Sequence, residues 1–387
     1  MTRCLRLPLL LLFCCVRTAS AADDWLGETV IVKETARPQV GNKRYEWNEA
    51  PIPAIVQKVN GDWLWVGTVW VKQDEVLRLD DAPAYFTGLI DKGTNNVVGY
   101  ALRGVSWLVK HEFENAIKDL TEAIRLEPAN TSFYTLRGKA YYAKRNFDQA
   151  LADFNEAVRL NPSNLVALND RGVTWDALEE FGKAFKQFDE ILRVSPRNAL
   201  AYANRSAAWF DVEDYEKSLA DVNRAIELDP KLAFAYANRG SWYLKHGDYP
   251  KALDDYQKSM ELAPREWGAY NGLARVYATA PVFQAHIRDG TQALAMAQKA
   301  CELSQWDEWM PVASLAAAYA ELGDFEAAVK WQKKALAMSQ PAKDRHQHDN
   351  LQRLELYKAG KPYYEEVSSL KEDAPKPATQ PAGPETN

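Results

Sequence analysis

The chain has 387 residues, a formal charge of −6 and 13 tryptophans, with 47% apolar and 26% charged residues. That balance is close to the globular average, which excludes wholesale disorder. The acidic surplus excludes a nucleic-acid binder, which needs a basic surface against phosphate. At ~150 residues per domain the length predicts two or three folding units, unless one repeat array fills most of the chain.

Residues 1–22 read as a secretory signal, not as structure. Arg3 and Arg6 give a positive start, Leu7 to Val16 is the apolar run, and Ala19-Ser20-Ala21 is a small-residue cleavage site. Cys14 and Cys15 raise a lipid anchor, but Phe13 and Cys14 stand where a lipoprotein signal needs a small residue, so the anchor is not expected. Cleavage would remove Cys4, Cys14 and Cys15 and leave Cys301, so no internal disulfide is expected. No later segment is apolar for long enough to cross a bilayer. The expected product is an exported chain, periplasmic, envelope-bound or secreted, with no integral membrane segment.

Residues 23–81 carry β signals. GETVIVK, PAIVQKV, DWLWV and TVWV are short runs of β-branched and aromatic residues, and Asn60-Gly61 between two of them predicts a hairpin. Period-two alternation puts Trp63 and Trp65 on one face and Leu64 and Val66 on the other. A small barrel or meander follows.

The stretch AIVQKVNGDWLWVGTVWVKQDEVLRL resembles the C-terminal half of bacterial SH3-like domains, whereas ETARPQVGNKRYEWNEAP matches their first half poorly. The resemblance implies a shallow aromatic groove for peptidoglycan peptides or protein partners, with Trp63, Trp65 and Trp70 as candidates. The same three side chains also suit a hydrophobic core.

From residue 82 a 34-residue period takes over. Pro128, Pro162, Pro196, Pro230 and Pro264 keep it, as do Arg103, Arg137, Arg171, Arg205 and Arg239. So do Gly104, Gly138, Gly172, Ser206 and Gly240, the aromatics Trp107, Tyr141, Trp175, Trp209 and Tyr243, and Ala116, Ala150, Ala184, Ser218 and Ala252. Each unit predicts two helices: FAYANRGSWYLKHG stops near Gly247, and YPKALDDYQKSMELA ends at Pro264. Glycine inside a helix costs ~1 kcal/mol relative to alanine, so its recurrence points to close approach of the paired helix. One such unit cannot bury its apolar face alone and must stack on its neighbours.

These marks closely resemble the tetratricopeptide repeat over residues 82–340. The resemblance implies a mainly α fold, a right-handed α-solenoid preceded by the small SH3-like β-barrel. APAYFTGLID (within 82–96) is expected as a lone second helix capping the array, 97–340 as about seven repeats, and 341–370 as a closing helix. The sixth repeat carries about seven extra residues around APVFQAHIRDG, and the seventh has Ala316 where earlier units have glycine. The proline-rich tail 371–387 is expected to be disordered.

Sixteen residues after four of the arginines comes an aspartate: Asp119, Asp153, Asp221 and Asp255, with Gln187 breaking the series. This predicts an ion-pair ladder on adjacent antiparallel helices. If exposed, each pair is worth only ~0–1 kcal/mol and sets register more than stability.

Repeats of this type usually bind through the inner face of their first helices. Counting by three and four puts Ser132, Thr135, Lys139 and Tyr142 there, then Val166, Asn169, Val173 and Asp176. The next two helices give Leu200, Ala203, Ala207 and Phe210, then Phe234, Ala237, Ser241 and Leu244. The groove candidates are Thr135, Lys139, Tyr142, Asn169, Asp176, Phe210 and Phe234. Some relatives grip a terminal carboxylate with Lys and Asn four apart, where this chain has Ala101 and Val105. A partner's helix or extended peptide would suit the face, and so would the chain's own C-terminal segment.

Enzyme signals are weak: there is no phosphate loop, nucleophile elbow or HExxH. His346-Gln347-His348-Asp349 looks metal-like, but residues two apart on a helix diverge, so a solvated linker is expected. Cys301 is expected as an inert buried thiol. The expected function is a non-enzymatic scaffold for protein partners, without cofactor, metal or nucleic acid. The alternative is a peptidoglycan-associated protein whose SH3-like domain does the binding.

Overall fold

The computed structural model describes residues 28–33, 36, 39–40, 43–44, 53–66, 69–93, 96–281, 285–339 and 347–365. The expected signal at 1–22 and the tail from Lys371 lie outside the described residues. The chain divides into two compact units, Met1–Thr174 and Trp175–Asn387.

The first unit begins with β1 (Thr29–Val32), β2 (Gln39–Val40), β3 (Lys43–Arg44), β4 (Pro53–Ile55), β5 (Lys58–Asn60), β6 (Trp63–Trp65), β7 (Trp70–Lys72) and β8 (Val76–Arg78). They form two antiparallel sheets, β4-β1-β8 and β3-β2-β7-β6-β5. In the β5–β6 hairpin Asn60 pairs with Trp63, so the turn residues are Gly61 and Asp62, and Gly61 supplies the positive φ of +57°. Period-two alternation sorts the side chains: Leu64 and Val71 join Val30, Val32, Val56 and Val76 in one buried cluster. Ile31, between two of these, faces the other way and packs on Phe86, Leu102 and Val105. This strand therefore carries both the β core and the first helical contact.

Next come α1 (Ala82–Asp91), α2 (Val97–Val109), α3 (Phe113–Leu126), α4 (Thr131–Ala143), α5 (Phe147–Leu160) and α6 (Leu165–Ala177), the last of which contains the division between units. The second unit holds α7 (Phe181–Val194), α8 (Ala199–Asp211), α9 (Tyr215–Leu228), α10 (Ala233–Lys245), α11 (Tyr249–Leu262), α12 (Trp267–Thr279), α13 (Gly290–Leu303), α14 (Trp309–Glu321), α15 (Phe325–Met338) and α16 (Gln347–Lys358). The extra residues of the sixth repeat fall between α12 and α13.

The helix boundaries have local causes. Asn146, Asp214, Asp248 and Asp324 cap second helices by accepting a backbone N–H three residues on. The recurring prolines stand two residues beyond second-helix ends. Each turn within a repeat needs one left-handed residue, found at His111, Arg145, Glu179, Glu213 and Gly247, again 34 apart. Only the last is glycine, so the other four carry steric cost. Glu213→Gly, at φ +61°, is expected to raise stability by up to ~1 kcal/mol, read as a higher urea midpoint. A lower midpoint would contradict this account of the turn.

The recurring glycines do mark close approach, and the neighbour is the side chain 16 residues on. A Cβ on Gly104 would meet Leu120 at 2.9 Å, one on Gly138 would meet the Phe154 ring at 2.6 Å, and one on Gly240 the Tyr256 ring at 2.9 Å. The recurring alanines and Ser218 are buried.

The arginine ladder is present, but it is not a surface feature. Arg103, Arg137, Arg205 and Arg239 each make two parallel bonds of 2.7–2.9 Å to Asp119, Asp153, Asp221 and Asp255. The four aspartates are buried. The same arginines also reach backwards to the preceding second helix. Arg103 donates to Thr87, Arg137 to Thr121, Arg171 to Asn155, Arg205 to Asp189 and Arg239 to Asn223, at 2.6–3.0 Å. The brackets at Arg103, Arg137, Arg205 and Arg239 therefore each tie a first helix to second helices on both sides. The Thr87 contact gives α1 the position of a second helix ahead of α2. The low value expected for an exposed pair does not apply, because the neighbouring helix removes water from the carboxylate.

Candidate functional site

In the first unit, α4 and α6 carry four of the groove candidates. Thr135 donates to the Thr131 carbonyl at 3.0 Å and is 5% exposed, and Asn169 is 8% exposed. Neither is displayed on an open face as the helical count predicted. Thr135 Oγ1 also accepts from Asn164, ahead of α6, at 3.4 Å, so direction along a helix does not by itself make a side chain open to a ligand. Lys139 remains exposed and lies 3.4 Å from Asp170, whose pKa burial raises against the pull of that ammonium. The Tyr142 ring packs on Phe147, with centroids 5.5 Å apart.

Trp63, Trp65 and Trp70 stand on the face opposite the buried cluster. Trp63, Trp65 and Trp70 are all half-buried, while Leu64 and Val71 between them are fully buried. Trp65 and Trp70 are direct cross-strand partners with ring centroids 5.3 Å apart. The Lys72 ammonium lies 5.7 Å from the Trp63 ring. The three indoles thus form a partly open aromatic surface rather than the core.

In the second unit Asp176 is half-buried at the end of α6, and Phe234 is 42% exposed near the start of α10. Phe210 packs on Tyr215 at 5.4 Å and lines a cavity of about 810 Å3. First helices α8, α10, α12 and α14 form one side of this cavity, through residues such as Ala207, Ser241, Arg275 and Ala313. The other side is α16 and the segment after it, including Arg353 and Tyr363 to Glu365. Phe210 is the one groove candidate that meets this cavity.

The residue counting missed is Arg275. It extends the series Lys139, Val173, Ala207, Ser241 by one more period, so continuing the count into the irregular sixth repeat would have found it. Its Nη2 donates to Glu365 Oε1 at 2.6 Å, and Arg353 Nη2 stands 3.8 Å from the same oxygen. The Glu365 amide donates to the Thr279 carbonyl at 2.9 Å, satisfying an end carbonyl of α12. Burial works against the charged Glu365, but the Arg275 and Arg353 guanidiniums outweigh it and hold its pKa below the usual carboxylate range. Ahead of it, the Tyr363 ring lies 4.4 Å from the Arg353 guanidinium, and the Tyr364 ring 4.3 Å from that of Arg288. The chain's own C-terminal segment therefore occupies part of the first-helix face.

Cys301 is buried in α13, and burial pushes its thiol up to about 12, which keeps it protonated and unreactive at neutral pH. His348 and Asp349 fall in the first turn of α16, and His346 lies outside the described residues. Among the described residues, no cluster of three or more His, Cys, Asp or Glu could hold a metal ion, and no helix is long and apolar enough to cross a membrane.

Family models described as tetratricopeptide repeat match residues 132–164, 233–266 and 313–340. Among solved structures, a tetratricopeptide repeat protein from Parabacteroides merdae ATCC 43184 is similar at 20% identity and TM-score 0.46, over 71% of this chain and 99% of its own. Yeast Tom70 is similar at 17% identity and TM-score 0.50, over 73% of this chain and 59% of its own. The Cut9–Hcn1 hetero-tetramer of the APC/C is similar at 14% and 0.53, over 71% and 52%. At such identities Tom70 and Cut9–Hcn1 show a shared fold alone. No curated protein matches the chain. With its 34-residue period, its paired helices and the three family-model matches, the helical part of the chain is an array of tetratricopeptide repeats.

Proposed function

We propose that the protein is exported and serves as a non-enzymatic scaffold, binding an extended segment of a partner protein along the first-helix face of its repeats. Arrays of such repeats are protein-interaction scaffolds that present extended surfaces for this purpose. The observation that carries the reading is the cavity of about 810 Å3 between the first helices α8–α14 and α16. It lies within the ~300–1,000 Å3 typical of ligand pockets. The test is crosslinking of the full chain in its host's envelope fraction. Tyr142→Ala, Phe210→Ala and Phe234→Ala together are expected to cut partner recovery about tenfold, the loss expected when buried aromatic anchors are truncated. An unchanged partner profile sinks the groove reading, and recovery of the chain in the cytoplasm sinks export.

A second reading gives the binding to the β region, as an SH3-like domain docking to peptidoglycan. The half-buried Trp63, Trp65 and Trp70 surface supports it, since indoles facing away from a core suit contact with a ligand. Co-sedimentation with purified sacculi separates the two. Pelleting that is lost with Trp65→Ala and Trp70→Ala would favour the β region, whereas no pelleting of the unaltered chain removes this reading.

A further inference from the structure

The segment after α16 indicates what the first-helix face of the second unit selects. In the inner-face series at positions 139, 173, 207, 241 and 275, Arg275 is the arginine, and it meets Glu365 from 90 residues away. The Tyr363 ring lies against Arg353 of α16, the Tyr364 ring against Arg288 between α12 and α13, and one backbone N–H meets the end of first helix α12. The segment is therefore read as two aromatic rings followed by a carboxylate, with its backbone in no regular element.

Two features make it a docked segment rather than a core element. It leaves α16 through a turn at Gly360, whose φ is +66°. The interface also leaves the Tyr249 and Tyr357 hydroxyls and Arg353 Nε buried without a hydrogen-bond partner among the described residues, whereas packed cores satisfy such groups. The half-buried Arg275 and Arg353 cations favour an anion beside them, so whatever replaces the segment must bring negative charge, as the Glu365 carboxylate does.

We propose that this face is a recognition site for an extended acidic peptide, two aromatic residues followed by a carboxylate, and that Pro362–Glu365 is its resident competitor. The proposal rests on the scaffold reading and names its ligand chemistry. A partner segment docks by displacing Pro362–Glu365, and its carboxylate takes the place of Glu365 on Arg275.

The probe is a fluorescein-labelled peptide of residues 360–370, GKPYYEEVSSL, titrated by anisotropy into the full chain. A competitor that fills the site lowers apparent affinity by the unoccupied fraction. Glu365→Gln in the chain is expected to tighten probe binding about tenfold, and adding Arg275→Gln should remove that gain. A probe with its first glutamate changed to glutamine should bind neither chain tightly. No gain with Glu365→Gln, or a gain that survives Arg275→Gln, overturns the proposal. Hydrogen exchange keeps the test decisive: in Glu365→Gln the amides of residues 363–365 should exchange faster while α12 and α14 stay protected. Unchanged protection at 363–365 overturns the proposal as well. Should α12 loosen too, Tyr364→Leu weakens the segment without touching the carboxylate and carries the same expectations. Failure of the probe with partner crosslinks intact would refute this specificity and leave the scaffold reading standing.

Discussion

Asp221→Ala is expected to destabilise the second unit by about 2–4 kcal/mol, while Asp189→Ala costs less than about 1 kcal/mol. Both carboxylates bond the same Arg205 guanidinium, so the cation is held constant and only the surroundings of the anion differ. Asp221 takes two bonds of 2.7 and 2.8 Å with its side chain 11% exposed, and Asp189 takes one of 2.6 Å with its side chain 63% exposed. Removing Asp221 leaves a partly buried guanidinium with two unmet donors, and the neighbouring helices keep water from replacing the lost carboxylate. Removing Asp189 hands one donor to solvent. Urea unfolding of each variant checks this, and equal midpoints for the two would refute the claim that burial makes the bracket strong. The upper figure for a fully buried pair is discounted here, because Arg205 itself remains partly exposed.

On α12, two glycines one turn apart should respond with opposite signs to alanine. A Cβ at Gly272 would run into the Tyr256 ring, and the same Cδ1–Cε1 edge already lies close against Gly240. Tyr256 is fully buried, so the ring has nowhere to retreat. Overpacking of this kind costs about 1–3 kcal/mol or more, against a gain in helix propensity of about 1 kcal/mol. Gly272→Ala should therefore lose about 2 kcal/mol net. Gly268 has nothing within 4 Å of a built Cβ, so Gly268→Ala keeps the propensity gain of up to ~1 kcal/mol. The pair is read by thermal and urea unfolding, and stabilisation by both would show that the ring is free to move.

Much of this architecture is legible in the chain because its defining contacts are short-range and repeated. Arg103 and Asp119, or Gly138 and Phe154, lie 16 residues apart, and the same separation recurs 34 residues later. The backward half of each arginine bracket is written in the chain too, but less visibly: Thr121, Asn155, Asp189 and Asn223 stand two residues past the aspartate position and keep the same period. It does not stand out as a period because threonine, asparagine and aspartate share no residue class, only the ability to accept a hydrogen bond from arginine. The helical count at Thr135 and Asn169 failed for a different reason. It gives the direction of a side chain but not how much of its surroundings the packed chain fills, and both side chains are buried.

The candidate site belongs to the other category. Arg275 was visible as one more member of a series, but its partner Glu365 sits in a stretch with no period, 90 residues away. Nothing local links a proline-tyrosine-tyrosine-glutamate run to α12. Periodicity therefore established the repeat, its helix pairs, the glycine contacts and the existence of the ladder, because each repeats a local rule. Chain folding settled which charges lose their water, which face stays open and which segment comes to lie on it. Burial and neutralisation of a charge depend on groups that only the packed chain brings together.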